Sequence, residues 1–199
     1  MSADRETMAV YEARAQDYAQ AFGKDHKANP ALIAFVAALP RDSLVLDLGC
    51  GPGAWARAML DMGLRVEAVD ASAAMVAEAA RVPGLVVRQA TFDEIGAEAR
   101  YDGIWANFSL LHAPRAAMPA HLAALCRALK PGGLLHIGLK AGQGEARDAL
   151  GRFYTYWEVA DLAALLESLD MTWGHLRQGA DKGLDGAVAP WFTLTARKT

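Results

Sequence analysis

The chain has 199 residues and a formal net charge of −3, which fits one domain with its own core and argues against a strongly basic nucleic-acid-binding surface. A hydrophobic fraction of 53% is ordinary for a globular protein, and no apolar run approaches the roughly 18 residues of a membrane span. The polar N-terminus does not resemble a signal peptide, and Cys50 and Cys126 lie in unlike contexts. We therefore expect a cytoplasmic protein with reduced thiols and with neither a membrane nor a nucleic-acid partner.

The first third of the chain predicts two helices, a buried strand and a third helix. A weak helical pattern runs from about Met8 to Phe22, and Asn29-Pro30 opens a clearer helix over Ala31–Leu39. Leu44–Leu48 is almost wholly apolar, as expected of a parallel strand that is buried on both faces. Three glycines follow within five positions, and the next helix is predicted over Ala54–Met62.

Strands and helices then alternate, which is typical of a parallel sheet with helices on both faces. Helices are predicted from Ser72 to about Arg81, after Asp93, and again up to about Leu129. The further strands are predicted at Leu64–Val69, Leu85–Gln89, Tyr101–Phe108 and Leu134–Leu139.

The end of the chain departs from this alternation. A polar connection over Gly142–Arg152 precedes a helix near Glu158–Leu169. Two strands follow, at Met171–Arg177 and Trp191–Ala196, with a polar, glycine-rich linker over Gln178–Pro190 between them. Because no helix separates these strands, they are most easily antiparallel. The sequence therefore predicts a mostly parallel sheet with one reversed strand near its edge.

The glycine turn after the first strand predicts a ligand site. Gly49, Gly51 and Gly53 stand where a doubly wound sheet binds ligands, and glycine lets a ligand lie directly against the backbone. The second strand ends at Asp70, and an acid there can accept both hydroxyls of a ribose. A bare glycine turn is also compatible with a tight strand-to-helix connection. A phosphate-binding P-loop is excluded because no Lys-Ser or Lys-Thr pair follows.

Asp47 distinguishes between two classes of nucleoside. A pyrophosphate at the turn would be opposed by this carboxylate, which lies two residues before Gly49. A ligand that carries sulfonium and ammonium groups would be favoured by it. The sequence therefore favours a cationic nucleoside over a dinucleotide.

Four segments in order resemble motifs of the class I S-adenosylmethionine-dependent methyltransferases. They are Val45–Gly53, Val66–Ser72, Tyr101–Asn107 and Leu129–Leu135. The resemblance implies a Rossmann-like, three-layer αβα sandwich whose seven-stranded sheet has the order 3-2-1-4-5-7-6, with strand 7 antiparallel. It implies one domain over residues 1–199, divided into a helical lid segment (1–42), a cofactor-binding core (43–140) and a substrate-side part (141–199). The implied cofactor is S-adenosyl-L-methionine, with S-adenosyl-L-homocysteine as product.

The resemblance also implies roles for individual residues. Asp47 and the glycine turn would hold the methionine part, and Asp70 would take the ribose hydroxyls. The chain departs from the family in having no acidic residue at Ala90-Thr91. The residues that the resemblance assigns to the cofactor are Tyr18, Asp47, Gly49, Cys50, Gly51, Gly53, Asp70, Ala71, Met75, Thr91, Phe92, Asn107 and Phe108.

Methyl transfer from a sulfonium is an in-line displacement, so the protein mainly aligns the acceptor and excludes water. A general base is optional. His112, just beyond the fourth strand, is the candidate base, with a structural, loop-bonding histidine as the alternative. His26, His121, His136 and His175 show no metal-ligand spacing, so we expect no metal site and interpret them as structural or surface residues.

The candidate acceptor-binding residues lie in the lid segment and after the fifth strand. Arg147 or Arg152 would clamp an acidic acceptor, with pairing to Asp148 or Glu145 as the alternative. The full set is Tyr11, Arg14, Arg147, Arg152 and Tyr154.

The sequence therefore predicts a methyltransferase that acts on a small molecule, as a monomer or homodimer. Three alternatives stay open: an RNA or protein methyltransferase, an NAD-type oxidoreductase, and a non-catalytic homologue that only binds the cofactor. Salt-dependent RNA binding would favour the first of these.

Overall fold

The computed structural model describes residues 4–22 and 26–199, which form a sheet with helices on both faces. The helices are α1 (Arg5–Phe22), α2 (Pro30–Ala37), α3 (Ala54–Asp61), α4 (Ala73–Ala79), α5 (Met118–Ala128) and α6 (Val159–Glu167). The strands are β1 (Leu44–Leu48), β2 (Arg65–Asp70), β3 (Val86–Gln89), β4 (Tyr101–Asn107), β5 (Leu129–Lys140), β6 (Glu145–Arg147), β7 (Phe153–Thr155), β8 (Met171–Lys182) and β9 (Val188–Lys198).

The main sheet has seven strands in the order β3-β2-β1-β4-β5-β9-β8. The first five strands pair in parallel, whereas β9 runs antiparallel to both β5 and β8. Strands β6 and β7 form a separate antiparallel pair. Numbered within the main sheet alone, the order is 3-2-1-4-5-7-6 with the seventh strand reversed, so the predicted fold class is confirmed.

Helices cover both faces of the sheet. Successive side chains of a strand point to opposite faces, so each buried strand contributes to both helix layers. Val45 and Trp105 pack with α2 and α3, whereas Leu46 and Ile104 pack with α5 and α6 on the opposite face. Ala68 of β2 contacts Ala79 of α4. The carboxyl ends of β1 and β4 therefore lie side by side at one edge, with buried packing behind them.

Helix α1 lies outside this sandwich and packs against α4. The Glu12 carboxylate accepts hydrogen bonds from the backbone N–H groups of Ala73 (2.6 Å) and Ala74 (3.2 Å), which begin α4. These donors have no partner inside their own helix, so the contact satisfies them. The backbone of Arg14 departs from helical geometry (φ −122°, ψ 20°), and α1 is kinked there. The division into parts at residues 42 and 140 stays a prediction.

The structure corrects three predicted segments. The expected linker over 178–190 is mostly strand, since β8 continues to Lys182 and β9 begins at Val188, with a bulge between Gly174 and Arg177. The polar connection over 142–152 contains β6 of a small hairpin. The helix predicted after Asp93 is only a 3₁₀ turn over Phe92–Glu94. In that turn the Glu94 carboxylate accepts hydrogen bonds from both the backbone and the hydroxyl of Thr91.

The start of β5 also differs from expectation. β5 begins at Leu129 instead of Leu134, because Leu129 already pairs with Tyr101 of β4. The register of the two strands then shifts before Leu134 pairs with Gly103.

Among the described helices, none combines the length and the apolar character that a membrane span requires.

Candidate functional site

A cavity of about 680 Å³ opens at the carboxyl ends of β1 and β4. Its floor is the glycine turn, and α1 covers it on one side. The β6–β7 hairpin and the tip of the β8–β9 hairpin form the other walls. This is the position at which doubly wound sheets bind ligands, and the volume is within the range of roughly 300–1,000 Å³ that small-molecule sites occupy.

The glycine turn brings bare backbone to the cavity. Gly49 has φ +70°, and a Cβ there would lie 2.4 Å from the Cβ of Ser109, so the end of β4 allows no side chain. The N–H groups of Gly49 and Cys50 both donate to the carbonyl of Val69, at 2.8 and 3.0 Å. Gly51 has φ +52°, and among the described residues only the Tyr18 ring would lie within 4 Å of its Cβ. Hydrogen bonds to β2 therefore fix the turn on its sheet side, while its other side faces the cavity.

Asp70 lies on the cavity wall with its carboxylate oriented by the backbone. Its Oδ2 accepts a hydrogen bond from Gly51 N (2.8 Å), and its Oδ1 accepts one from Ser72 N (2.9 Å). Burial nevertheless raises the pKa of this carboxyl above its usual value. Each oxygen keeps a further lone pair, so the group can still accept the two hydroxyls of a ribose.

Asp47 and Gly53 are not among the residues that line the cavity, and their predicted cofactor roles stay predictions. Asp47 is 2% exposed and lies beneath the turn, where burial raises its pKa to about 8. Its Oδ2 has no hydrogen-bond partner among the described residues. Gly53 (φ +84°) precedes α3, and a Cβ there would press against Ala79 and Val82 at 3.2 Å. The close approach of Ala79 and Val82 is therefore enough to account for a glycine at this position.

His112 contacts both the lid helix and the small hairpin. Its Nδ1 lies 2.6 Å from the carbonyl of Phe153, and its Nε2 lies 2.7 Å from the hydroxyl of Tyr11. Because a carbonyl can only accept, Nδ1 carries the proton and Nε2 accepts from Tyr11. Desolvation lowers the pKa of His112 to about 4, so the ring is neutral at pH 7.

The two candidate arginines are bound to carboxylates of the protein. Arg152 and Asp148 form a buried ion pair at 2.6 Å, with side chains 3% and 4% exposed. Arg147 pairs with Asp4 at 2.8 Å and with Glu6 at 3.3 Å. Both arginines are therefore better described as structural ion-pair partners than as a clamp for an acidic acceptor. The partners of Arg147 differ from the Asp148 and Glu145 that the sequence suggested, since Glu6 lies in α1 and Asp4 directly precedes it. Arg14 is exposed and lies away from the cavity.

Most of the predicted site residues do lie on the cavity wall. Those assigned to the cofactor are Tyr18, Gly49, Cys50, Gly51, Asp70, Ala71, Met75, Thr91, Phe92, Asn107 and Phe108. Those assigned to the acceptor or to catalysis are Tyr11, His112, Arg147, Arg152 and Tyr154. Their roles stay predictions, but the fold brings them together.

Sequence reasoning missed several wall residues. The cavity is also lined by Asp93, His26 and His121, although the sequence suggested structural or surface roles for the two histidines. Asp93 provides an acidic side chain three residues beyond Ala90, and His121 Nδ1 lies 3.8 Å from its Oδ1. Lys140 and Trp191 also line the cavity. The polar, glycine-rich composition of residues 178–190 hid the strand pairing that brings Trp191 there.

The model of a protein family described as "Methyltransferase domain" matches residues 45–133. A curated relative, the malonyl-[acyl-carrier protein] O-methyltransferase of Enterobacter lignolyticus, is 36% identical over 132 residues, or 64% of this chain. The match spans 50% of that relative, so the chain accounts for about half its length.

Solved structures are similar over the whole chain. The crystal structure of the 1,6-didemethyltoxoflavin-N1-methyltransferase of Burkholderia thailandensis, with bound 1,6-didemethyltoxoflavin and S-adenosylhomocysteine, is 26% identical. It matches with a TM-score of 0.77 over 100% of this chain and 92% of that one. A methyltransferase of Haloferax volcanii, in complex with the activator Trm112, matches at 18% identity with a TM-score of 0.74, over 98% and 97% of the two chains. The second likeness concerns the fold alone.

Proposed function

We propose that this chain is a class I S-adenosylmethionine-dependent methyltransferase and that it transfers the methyl group of S-adenosylmethionine to a small-molecule acceptor held in the same cavity. The observation that carries the proposal is the continuity of the cavity. The backbone turn and Asp70 lie at one end, and Tyr154, Lys140 and Trp191 lie at the other. A cofactor and a small acceptor can therefore meet inside one enclosed volume.

The residues present fit the cofactor. Asp70 offers two oriented carboxylate oxygens to the ribose. The buried Oδ2 of Asp47 lacks a donor among the described residues. Because Asp47 lies behind the cavity wall, a water between this oxygen and the ammonium group of a ligand would join the two. Met75 and Phe92 supply apolar surface for a purine, and Asp93 supplies an acceptor for an amino group.

The cofactor supplies an activated methyl group when it is bound, so the chain's own residues have to position the acceptor and exclude water. Helix α1 contributes most to this enclosure. Tyr11 is hydrogen-bonded to His112, and the Thr7 hydroxyl donates to Asp4 while accepting from the backbone N–H of Phe153. These contacts join α1 to the β6–β7 hairpin above the cavity.

His112 is our candidate for the group that receives an acceptor proton. Nε2 can accept the proton of the methyl acceptor directly if the Tyr11 hydroxyl turns away from it. Alternatively, the Tyr11 hydroxyl can take up that proton while it passes its own proton to Nε2. A histidine with a pKa of about 4 is a weak base at neutral pH. The site therefore suits an acceptor that arrives ionised better than one that must be deprotonated.

The test is transfer of a radiolabelled methyl group from S-adenosylmethionine to a panel of small acids, amines, phenols and thiols, with bulk RNA and a mixed protein fraction beside them. The proposal expects label in at least one small molecule and none in the polymers. Label in RNA or protein alone would contradict the small-molecule acceptor. Cofactor binding with no label in any fraction would support a non-catalytic homologue.

A further inference from the structure

We propose that Lys140 binds an anionic group on the methyl acceptor, and that the acceptor is a flat aromatic acid. The inference rests on the proposed function, because it concerns the acceptor end of the same cavity. Lys140 is not among the acceptor-binding residues that the sequence predicts, and it takes the place of the arginines as the source of positive charge.

Lys140 is a cation on the cavity wall with no bound counter-ion among the described residues. It is the last residue of β5, it is half-buried, and it lies across from Trp191 of β9. Its Nζ lies 3.6 Å from the centre of the Tyr154 ring. Within residues 4–22 and 26–199, no side chain forms an ion pair or hydrogen bond with this ammonium group. Carboxylates of Asp185 and Asp148 act on it only over longer distances.

The neighbouring cations do not share this property. Arg152 is paired with Asp148, and Arg147 is paired with Asp4 and Glu6. Desolvation lowers the pKa of Lys140, in keeping with the lack of an ion pair to this ammonium group among the described residues. The Tyr154 ring stabilises the ammonium group only in part, and an arriving anion would supply the counter-ion that this partly buried charge lacks among the described residues. The pocket therefore offers an electrostatic reason to prefer an anion at this place.

The surfaces around Lys140 favour a flat acceptor. Trp191 meets Phe108 edge to face, with ring centres 6.0 Å apart, and the Trp191 indole N–H is fixed by Asp181 at 2.7 Å. Tyr154 is 4% exposed and lies under the Lys140 ammonium. Aromatic rings pack well against other flat rings in offset or edge-on arrangements. An aromatic acid can thus place its ring among these side chains and its anionic group at Nζ.

The experiment measures binding of matched probes to the protein saturated with S-adenosylhomocysteine. The probes are benzoate, 2-naphthoate and quinoline-4-carboxylate, each beside its neutral amide, and calorimetry gives the dissociation constants. For at least one ring system we expect the carboxylate to bind at least tenfold more tightly than the amide. Equal affinities within every pair, including absence of binding by all probes, would overturn the proposal.

Variants then locate the preference. Lys140→Met keeps an unbranched apolar side chain and should reduce the carboxylate preference to less than twofold, whereas Lys140→Arg should retain most of it. Arg177→Met removes the same charge from exposed β8, outside this cavity, and should leave the preference unchanged. A preference that survives in Lys140→Met, or that Arg177→Met removes equally, would contradict the role of Lys140.

Binding of S-adenosylhomocysteine is measured first for every variant. Unchanged cofactor affinity in Lys140→Met shows that the variant is folded and that its cofactor end is intact. If the unaltered protein does not bind S-adenosylhomocysteine, the proposed function itself fails. If it binds the cofactor product but shows no preference for carboxylates, only the present inference fails.

Discussion

Substitution of Gly49 by alanine should destabilise the protein through two separable effects. The first is conformational, since φ is +70° and the left-handed region costs an L-residue about 1–2 kcal/mol. The second is steric, since the new Cβ would lie 2.4 Å from Ser109 Cβ and 3.6 Å from its Cα. Overpacking of this kind costs about 1–3 kcal/mol. We therefore expect Gly49→Ala to lower the free energy of unfolding by about 2–5 kcal/mol.

Gly63→Ala is the matched control. Gly63 has φ +88°, but no neighbouring atom of residues 4–22 and 26–199 lies within 4 Å of the position that a Cβ would take, so only the conformational cost applies. Urea unfolding followed by circular dichroism gives both losses. In a Ser109→Gly background, Gly49→Ala should cost no more than Gly63→Ala does, because the clash is removed. If Gly49→Ala is no more harmful than Gly63→Ala in the native background, the steric argument for the turn is wrong.

Three further predictions concern the charged groups of the site. Asp70→Ala should weaken S-adenosylhomocysteine binding at least tenfold by calorimetry, because the ribose loses its acceptors; unchanged affinity would remove Asp70 from the site. Because the folded pKa of His112 lies near 4, below the ordinary 6.5, its contribution to stability is lost as pH falls below about 6.5. Between pH 7 and pH 4.5, the free energy of unfolding of the native protein should fall by roughly 2 kcal/mol more than that of His112→Asn. Equal losses in the two proteins would refute the lowered pKa of His112. Arg152→Met should cost about 3 kcal/mol or more in urea unfolding, because it leaves a buried carboxylate unpaired, with most of the loss recovered in Arg152→Met/Asp148→Leu. The exposed Arg147→Met should cost far less, and similar losses for the two arginines would contradict this account.

The parallel core of the fold could be predicted because its signals are local. β1 is an apolar run that ends at a glycine turn, and the predicted Leu44–Leu48 agrees with the structure residue for residue. Asn29 caps α2 by accepting from the N–H groups of Ala31 and Leu32, as its position before Pro30 suggests. Such signals need only a few neighbouring residues to be interpreted.

The substrate side could not be predicted in the same way, because its structure depends on pairing between distant segments. Residues 178–182 have a polar composition that is typical of a loop, yet they pair with Val188–Phe192 and extend the hairpin over the cavity. Arg147 was expected to bind an acceptor, but Asp4, which lies 143 positions away in the chain, binds its guanidinium. Long-range ion pairs of this kind leave no trace in local sequence patterns.

The candidate site also contains residues that local sequence patterns predict and one, Lys140, that they do not. The place of Gly49, Gly51 and Asp70 on the cavity wall could be predicted from spacing, since a strand, a glycine turn and an acid at the end of the next strand define their positions. Lys140 lies on a strand whose end faces the same edge, but nothing in the sequence distinguishes it from the arginines that follow. Its importance rests on which charges find partners in the folded chain.

Calorimetric titration with S-adenosylhomocysteine, run beside NAD under identical conditions, tests the central claim most directly. We expect S-adenosylhomocysteine to bind at one site per chain, and we expect no binding of NAD. Binding of NAD alone would contradict the assignment of the cavity and, with it, the proposals that concern the acceptor.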